Sequence, residues 1–113
     1  MNIVITPETT VGSLRAQFHL EFPRLSLRLF ESSHAKGKGS PASQMIDDNE
    51  SLSRWVKSPL SLFIDPEMTV EQVESIFEKS GMHVQVFRQS GKLWLENTRP
   101  DDWALSRINT EEY

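Results

Sequence analysis

Ile5-Thr6-Pro7-Glu8-Thr9-Thr10-Val11 returns later in the chain as Ile64-Asp65-Pro66-Glu67-Met68-Thr69-Val70. The register holds beyond the motif. Leu14 falls on Val73 and Phe18 on Phe77, so six of the fourteen positions from Ile5 to Phe18 are identical in the second stretch. Average residue frequencies give about one such identity by chance. Two residues then drop out, and Leu27-Arg28-Leu29-Phe30 falls on Val84-Gln85-Val86-Phe87. Further on, Asp47-Asp48 resembles Asp101-Asp102, and Leu52-Ser53-Arg54 matches Leu105-Ser106-Arg107. The unit is strand, helix, strand, variable loop, acidic pair, short helix. Shared strand-to-helix grammar explains part of the match, because Pro and Glu favour helix starts for physical reasons. It does not explain the Leu-Ser-Arg match or the paired Phe. Duplication is therefore expected, dividing a single domain, 1–113, into pseudo-repeats 1–57 and 60–113.

Working outward, Asn2 to Ile5 is a short β-branched strand that Pro7 ends. Thr9 or Thr10 caps a helix whose buried face is Val11, Leu14 and Phe18, and Pro23 closes it. Leu25, Leu27 and Leu29 alternate with Ser26, Arg28 and Phe30, which is strand periodicity. Glu31 to Ser43 reads as a loop, and Asn49 to Trp55 as a short helix capped by Asn49 or Ser51. Lys57-Ser58-Pro59 joins the halves. Leu60 to Ile64 is the next strand. Thr69 caps a helix running to Ser80, with Val70, Val73 and Phe77 inward and Gly81 as its stop. Met82 to Phe87 and Lys92 to Glu96 are strands joined by a Gln89-Ser90-Gly91 turn. Trp103, Leu105 and Ile108 mark a last short helix.

Each half is about 55 residues, marginal for folding alone. The expected architecture is α+β: tandem βαβ-type repeats sharing one antiparallel or mixed sheet, with both main helices on one face. That is a ferredoxin-like or related two-layer sandwich. Ubiquitin-like folds are the rival, but they open with a hairpin that neither half has.

Composition narrows the chemistry. The chain has 113 residues and no cysteine, which excludes disulfide scaffolds, thiolate zinc sites and cysteine nucleophiles. Its net charge is −4, unevenly spread: residues 1–60 carry net +1 and residues 61–113 net −5. General nucleic-acid affinity is therefore not the first expectation. No run of about 18 apolar residues is present, so no membrane association is expected. No secretory or lipidation signal is visible, and a cytoplasmic location is expected.

The second half, from Pro66-Glu67-Met68-Thr69-Val70 through His83 to Glu96 and Asp101-Asp102-Trp103-Ala104-Leu105, resembles a family of small bacterial proteins built on this duplicated unit. The first half resembles it less, because Glu31 to Ser43 departs in length and composition. The resemblance implies a bacterial, cytoplasmic, two-repeat protein. The family has no established activity, so no catalytic or binding residue is carried over.

Four features invite a functional reading. Glu67, Glu71, Glu74 and Glu78, at i, i+4, i+7 and i+11, form an acidic stripe expected opposite Val70, Val73 and Phe77. Such a stripe suits a basic partner, or serves only solubility. Phe30, Phe87 and Trp94 are expected on the sheet face away from the helices, close enough for Phe30 and Phe87 to share a patch. With Arg28 and Arg88 beside them, they could stack bases, meet another protein, or be covered by the chain itself. Lys36-Gly37-Lys38-Gly39-Ser40 lacks the spacing of a phosphate-binding loop and reads as solvated. His19, His34 and His83 fall in unrelated contexts, and the two Asp pairs read as caps, so neither a metal nor a cofactor is expected.

The expectation is a non-catalytic, non-enzymatic protein-interaction module. It would self-associate as a homodimer through the aromatic sheet face (Phe30, Phe87, Trp94). One alternative is an acidic inhibitor or immunity-type protein gripping a basic protein through Glu67, Glu71, Glu74 and Glu78. The other is RNA or single-strand binding on the sheet face, which net acidity disfavours.

Overall fold

The computed structural model describes residues 1–31, 44–90, 93–96 and 103–110, with 90, 93–96 and 110 described through their backbone. It is an α+β structure. In chain order it runs β1 (Asn2–Ile5), α1 (Val11–Glu21), β2 (Leu25–Phe30), a 3-10 turn (Leu52–Arg54), β3 (Leu60–Phe63), α2 (Val70–Lys79), β4 (His83–Ser90), β5 (Leu93–Glu96) and α3 (Leu105–Thr110).

Both main helices start on a threonine. Thr10 Oγ1 accepts the Ser13 N–H at 3.1 Å, and Thr69 Oγ1 accepts the Gln72 N–H at 3.2 Å. Gln72 Oε1 in turn accepts the Thr69 N–H at 2.9 Å, completing a capping box on α2. Past the Ser80 cap of α2 comes Gly81, whose φ of +88° is left-handed. The Gly81 N–H donates to Glu78 O and the Met82 N–H reaches back to Phe77 O, both at 3.0 Å. These two bonds satisfy carbonyls the helix leaves open, and Met82 packs beside Phe77 in the core.

The strands form two antiparallel sheets, a β1–β3 ribbon and a β2–β4–β5 sheet. The single shared sheet expected from sequence is therefore corrected. The reason lies along the outer edge of β2. Leu25 O accepts from His19 Nδ1 at 2.9 Å, Leu27 O from Arg15 Nε at 2.7 Å and Leu29 O from the Ile46 N–H at 2.8 Å. An edge so occupied offers β1 no ladder.

Two smaller expectations change. Of Asn49 to Trp55, only Leu52–Arg54 is helical, and Ser51 is extended. Gln89 and Ser90 belong to β4 rather than to a turn, since the register pairs Gln89 with Trp94 and Ser90 with Leu93. The Gln89 N–H also donates to Arg24 O at 2.9 Å, which prolongs the β2–β4 pairing. Gly91 and Lys92, between the paired strands, lie outside the described residues, as do Glu31's successors up to Ser43.

The inner faces of both sheets and the buried stripes of the helices meet in one core. Ile3, Ile5, Leu62 and Ile64 come from the ribbon and its flank. Leu25, Leu27, Leu29, Val84 and Val86 come from the other sheet. Val11, Leu14 and Phe18 of α1, Val70, Val73 and Phe77 of α2, and Leu105 and Ile108 of α3 complete it. Two short segments dock alike on the helix starts. Thr10 bridges Ser51 and Thr69 bridges Ala104. The Leu52 N–H donates to Thr9 O at 2.8 Å and the Leu105 N–H to Met68 O at 2.9 Å.

Candidate binding surfaces

The β2–β4 register pairs Leu27 with Val86 and Leu29 with Val84, so these line the core face. The pairs Ser26–Phe87, Arg28–Gln85 and Phe30–His83 fall on the other face. Phe30 and Phe87 thus point away from the core leucines. They do not form one patch. The Arg28–Gln85 pair separates them, and four strand positions span about 13 Å. Phe30 is also only 1% exposed, with Met45 bridged alongside it. Its expected surface role is corrected for that reason, while Phe87 is half-buried. Trp94 pairs in register with Gln89, and its side chain lies outside the described residues.

The acidic stripe also changes shape. Glu67 precedes α2, and its Oε1 accepts from Ser106 Oγ at 3.2 Å. On a helix, Glu71, Glu74 and Glu78 stand about 100° around from Val70, Val73 and Phe77 rather than opposite them. They flank the core stripe and lean toward β4. Glu74 Oε2 accepts the Val86 N–H at 3.3 Å, and Glu78 Oε2 accepts from His83 Nδ1 at 3.0 Å. Glu71 and Glu78 remain exposed.

Under the internal match, Arg15 occupies the place of Glu74, and His19 that of Glu78. On α1 these positions are donors to strand carbonyls; on α2 they are acceptors. Around Arg15 a groove forms between α1 and the outer face of β2 and β4. Gly12 makes the approach possible. Its N–H donates to Asp48 O at 2.9 Å, and a Cβ there would meet Asp48 O at 3.2 Å and Asp48 Cβ at 3.3 Å. Arg15 is engaged through all three of its nitrogens. Beyond Leu27 O, its Nη2 donates to Ser26 Oγ at 2.9 Å and its Nη1 to both Asp48 carboxylate oxygens at 2.9 and 2.8 Å.

Arg28 differs. Its Nη1 lies 3.7 Å from Asp48 Oδ1, too far for a hydrogen bond. Burial, then the Arg15 charge, lowers its pKa below the usual guanidinium value, with Asp48 acting the other way. The side chain is 33% exposed. His19 Nδ1 carries a proton, because its partner Leu25 O can only accept. The groove encloses about 540 Å³, with Gly12, Arg15, Ala16 and His19 on the helix side, Ser26, Arg28 and Phe87 on the sheet side, and Met45 above. No carboxylate is among these described lining residues. Arg15 escaped the sequence reading, and His19 entered it only as one of three histidines in unrelated contexts. Their signal was present in the charge inversion between matched helix positions.

A second surface is apolar. In the ribbon, Asn2 pairs with Phe63 and Val4 with Ser61, while Ile3 and Ile5 face inward. Asn2, Val4, Ser61 and Phe63 therefore share the outer face. Val4 is 58% exposed and Phe63 54%.

Among the described residues, no three His, Asp or Glu side chains gather where they could hold a metal ion, and no helix is long and apolar enough to cross a membrane. Compared with known proteins, the chain matches no family model, no curated protein and no solved structure.

Proposed function

We propose that this protein is a non-catalytic interaction module that self-associates through the outer face of the β1–β3 ribbon. The observation that carries this is Val4 and Phe63, two large apolar side chains more than half exposed on one sheet face. Diagonal cross-strand neighbours lie about 7–8 Å apart, so the two side chains form one contiguous patch. Covering such a patch is favourable at about 25 cal/mol per Å² of apolar area removed from water. A second copy offers the same patch about a twofold axis. The docking face is thus assigned to the ribbon rather than to Phe30, Phe87 and Trp94, because Phe30 is buried. Light scattering on size-separated protein tests this. A dimer is expected for the natural sequence, and a folded monomer for Val4→Ser combined with Phe63→Ser. A dimer that survives both substitutions sinks the proposal, as does a natural sequence that stays monomeric at millimolar concentration.

The acidic-inhibitor alternative keeps one supporting observation, the exposure of Glu71 and Glu78. Base stacking loses Phe30 as a platform. Bacterial origin and a cytoplasmic location belong to the same proposal and rest on the sequence motifs.

We also propose that the halves descend from one duplicated unit in a two-layer, ferredoxin-like relative. In support, exchanging matched residues turns the pair Leu27–Val86 into Val84–Leu29, and both pairs occur. Likewise Asn2–Phe63 becomes Ser61–Val4, and both occur. Direct β2–β4 pairing and the separate antiparallel β1–β3 ribbon are departures from a ferredoxin-like order.

A further inference from the structure

We infer that the groove between α1 and the outer face of β2–β4 is a binding site for a small flat monocarboxylate, with Arg28 taking the carboxylate and Phe87 the flat apolar body. The site lies on the other sheet from the ribbon face and stands independently of self-association.

Three observations converge on this ligand. The first is an unspent donor set. Arg15 has its donors committed to Leu27 O, Ser26 Oγ and Asp48. Among the described residues, the Arg28 guanidinium meets only Asp48, at 3.7 Å. A planar fork with no hydrogen bond to a described residue, one-third exposed at the wall of a cavity, fits a carboxylate in bidentate geometry.

The second is charge. Among the described residues, the charges acting on Arg28 are Arg15 and Asp48, so two cations meet one carboxylate and one positive charge is left over. A monoanion neutralises that charge; a phosphate dianion would overshoot it. Burial and then the Arg15 charge lower the Arg28 pKa, and Asp48, at 3.7 Å, offsets them only in part. An incoming anion supplies the missing compensation.

The third is shape. The cavity, near 540 Å³, lies within the range of small-molecule sites, about 300–1,000 Å³. Phe87 pairs with Ser26, two positions along the same face from Arg28. That step is about 7 Å, a span that a carboxylate and an attached ring bridge. Arg15 and Asp48 act as positioning residues: Arg15 bonds through all three of its nitrogens and Asp48 through both carboxylate oxygens, which holds the floor and the adjoining segment in place.

The test is an NMR titration of the full chain with benzoate, beside inorganic phosphate and cyclohexylamine as comparators. Saturable shifts are expected for the Gly12, Ala16, Arg28 and Phe87 amides with benzoate, with phosphate weaker and the amine inert. Arg28→Gln is expected to weaken benzoate at least tenfold, since hydrogen bonds to charged groups carry that much. Arg28→Lys should fall between, because it keeps the charge but loses the fork. Phe87→Leu should weaken benzoate several-fold while leaving phosphate unchanged. Spectra of each variant without ligand establish that it is folded. Absence of saturable benzoate shifts overturns the inference. So does unchanged benzoate affinity in folded Arg28→Gln, or phosphate binding as tight as benzoate, which would mark a general attraction for anions.

Discussion

At Gly12 a single missing Cβ decides how close residues 47–50 can come to α1. Alanine favours a helix over glycine by about 1 kcal/mol, so Gly12→Ala would ordinarily stabilise. Here the added carbon meets a backbone oxygen, Asp48 O, at 3.2 Å, and that oxygen is held at 2.9 Å by the Gly12 N–H itself. The contact can relax only by stretching this bond and pulling Asp48 from Arg15. Gly12→Ala is expected to lose the propensity gain and destabilise by about 1 kcal/mol in urea unfolding. Gly12→Ser should do no better. A measured gain in stability for Gly12→Ala would show that the Asp48 segment yields freely. The same residue explains what sequence reasoning missed. Asp47-Asp48 reads locally as a helix cap, whereas Asp48 serves a helix 33 residues earlier through Arg15. Nothing near either residue announces a partner so distant.

At the scale of elements, α2 is the more strongly punctuated helix. Thr69 has both halves of its capping box, while Thr10 has only its own oxygen. Thr69→Ala is expected to cost about 1 kcal/mol, and more than Thr10→Ala. Gly81→Ala should cost about 1–2 kcal/mol. The nearest atom to an added Cβ is Trp55 O at an ordinary 3.6 Å, so the cost comes from φ of +88° rather than from crowding. Thermal unfolding of the three variants gives the order, and equal Tm values for Thr69→Ala and Thr10→Ala would remove the capping-box argument. These signals are legible in sequence because they act within a turn: Thr before Val, Gln three residues on, Gly after Ser80. The strand alternation of Leu25, Leu27 and Leu29 is legible for the same reason. The extent of β4 is not, because Gln89 stays in the strand through partners in other elements, Arg24 O and Trp94. The tilt of Glu74 and Glu78 toward β4 is equally hidden: the heptad-like spacing shows that they share a face, but only the packing of α2 sets where that face looks.

Across the whole molecule, the pairing is between halves. β1 pairs with β3 and β2 with β4, so every described strand of the first half takes its ladder from the second. The core is likewise drawn from both. A fragment of residues 1–57 therefore keeps a helix and two strands with no sheet, and helices of this length are marginal alone. It has one way out, which is to pair with itself in the pattern the matched residues allow. That would set Arg28 against a second Arg28 at the position now held by Arg28 and Gln85, and like charges directly opposite are destabilising. Residues 58–113 face no such conflict, because the equivalent pair would be Gln85 with Gln85. The expected result by circular dichroism is an unfolded 1–57, a 58–113 fragment with weak, concentration-dependent structure, and recovery of native signal when the two are mixed in equal amounts. Cooperative unfolding of 1–57 alone, independent of concentration, would mean that the first half carries a core of its own and that cross-half pairing is not what holds the fold.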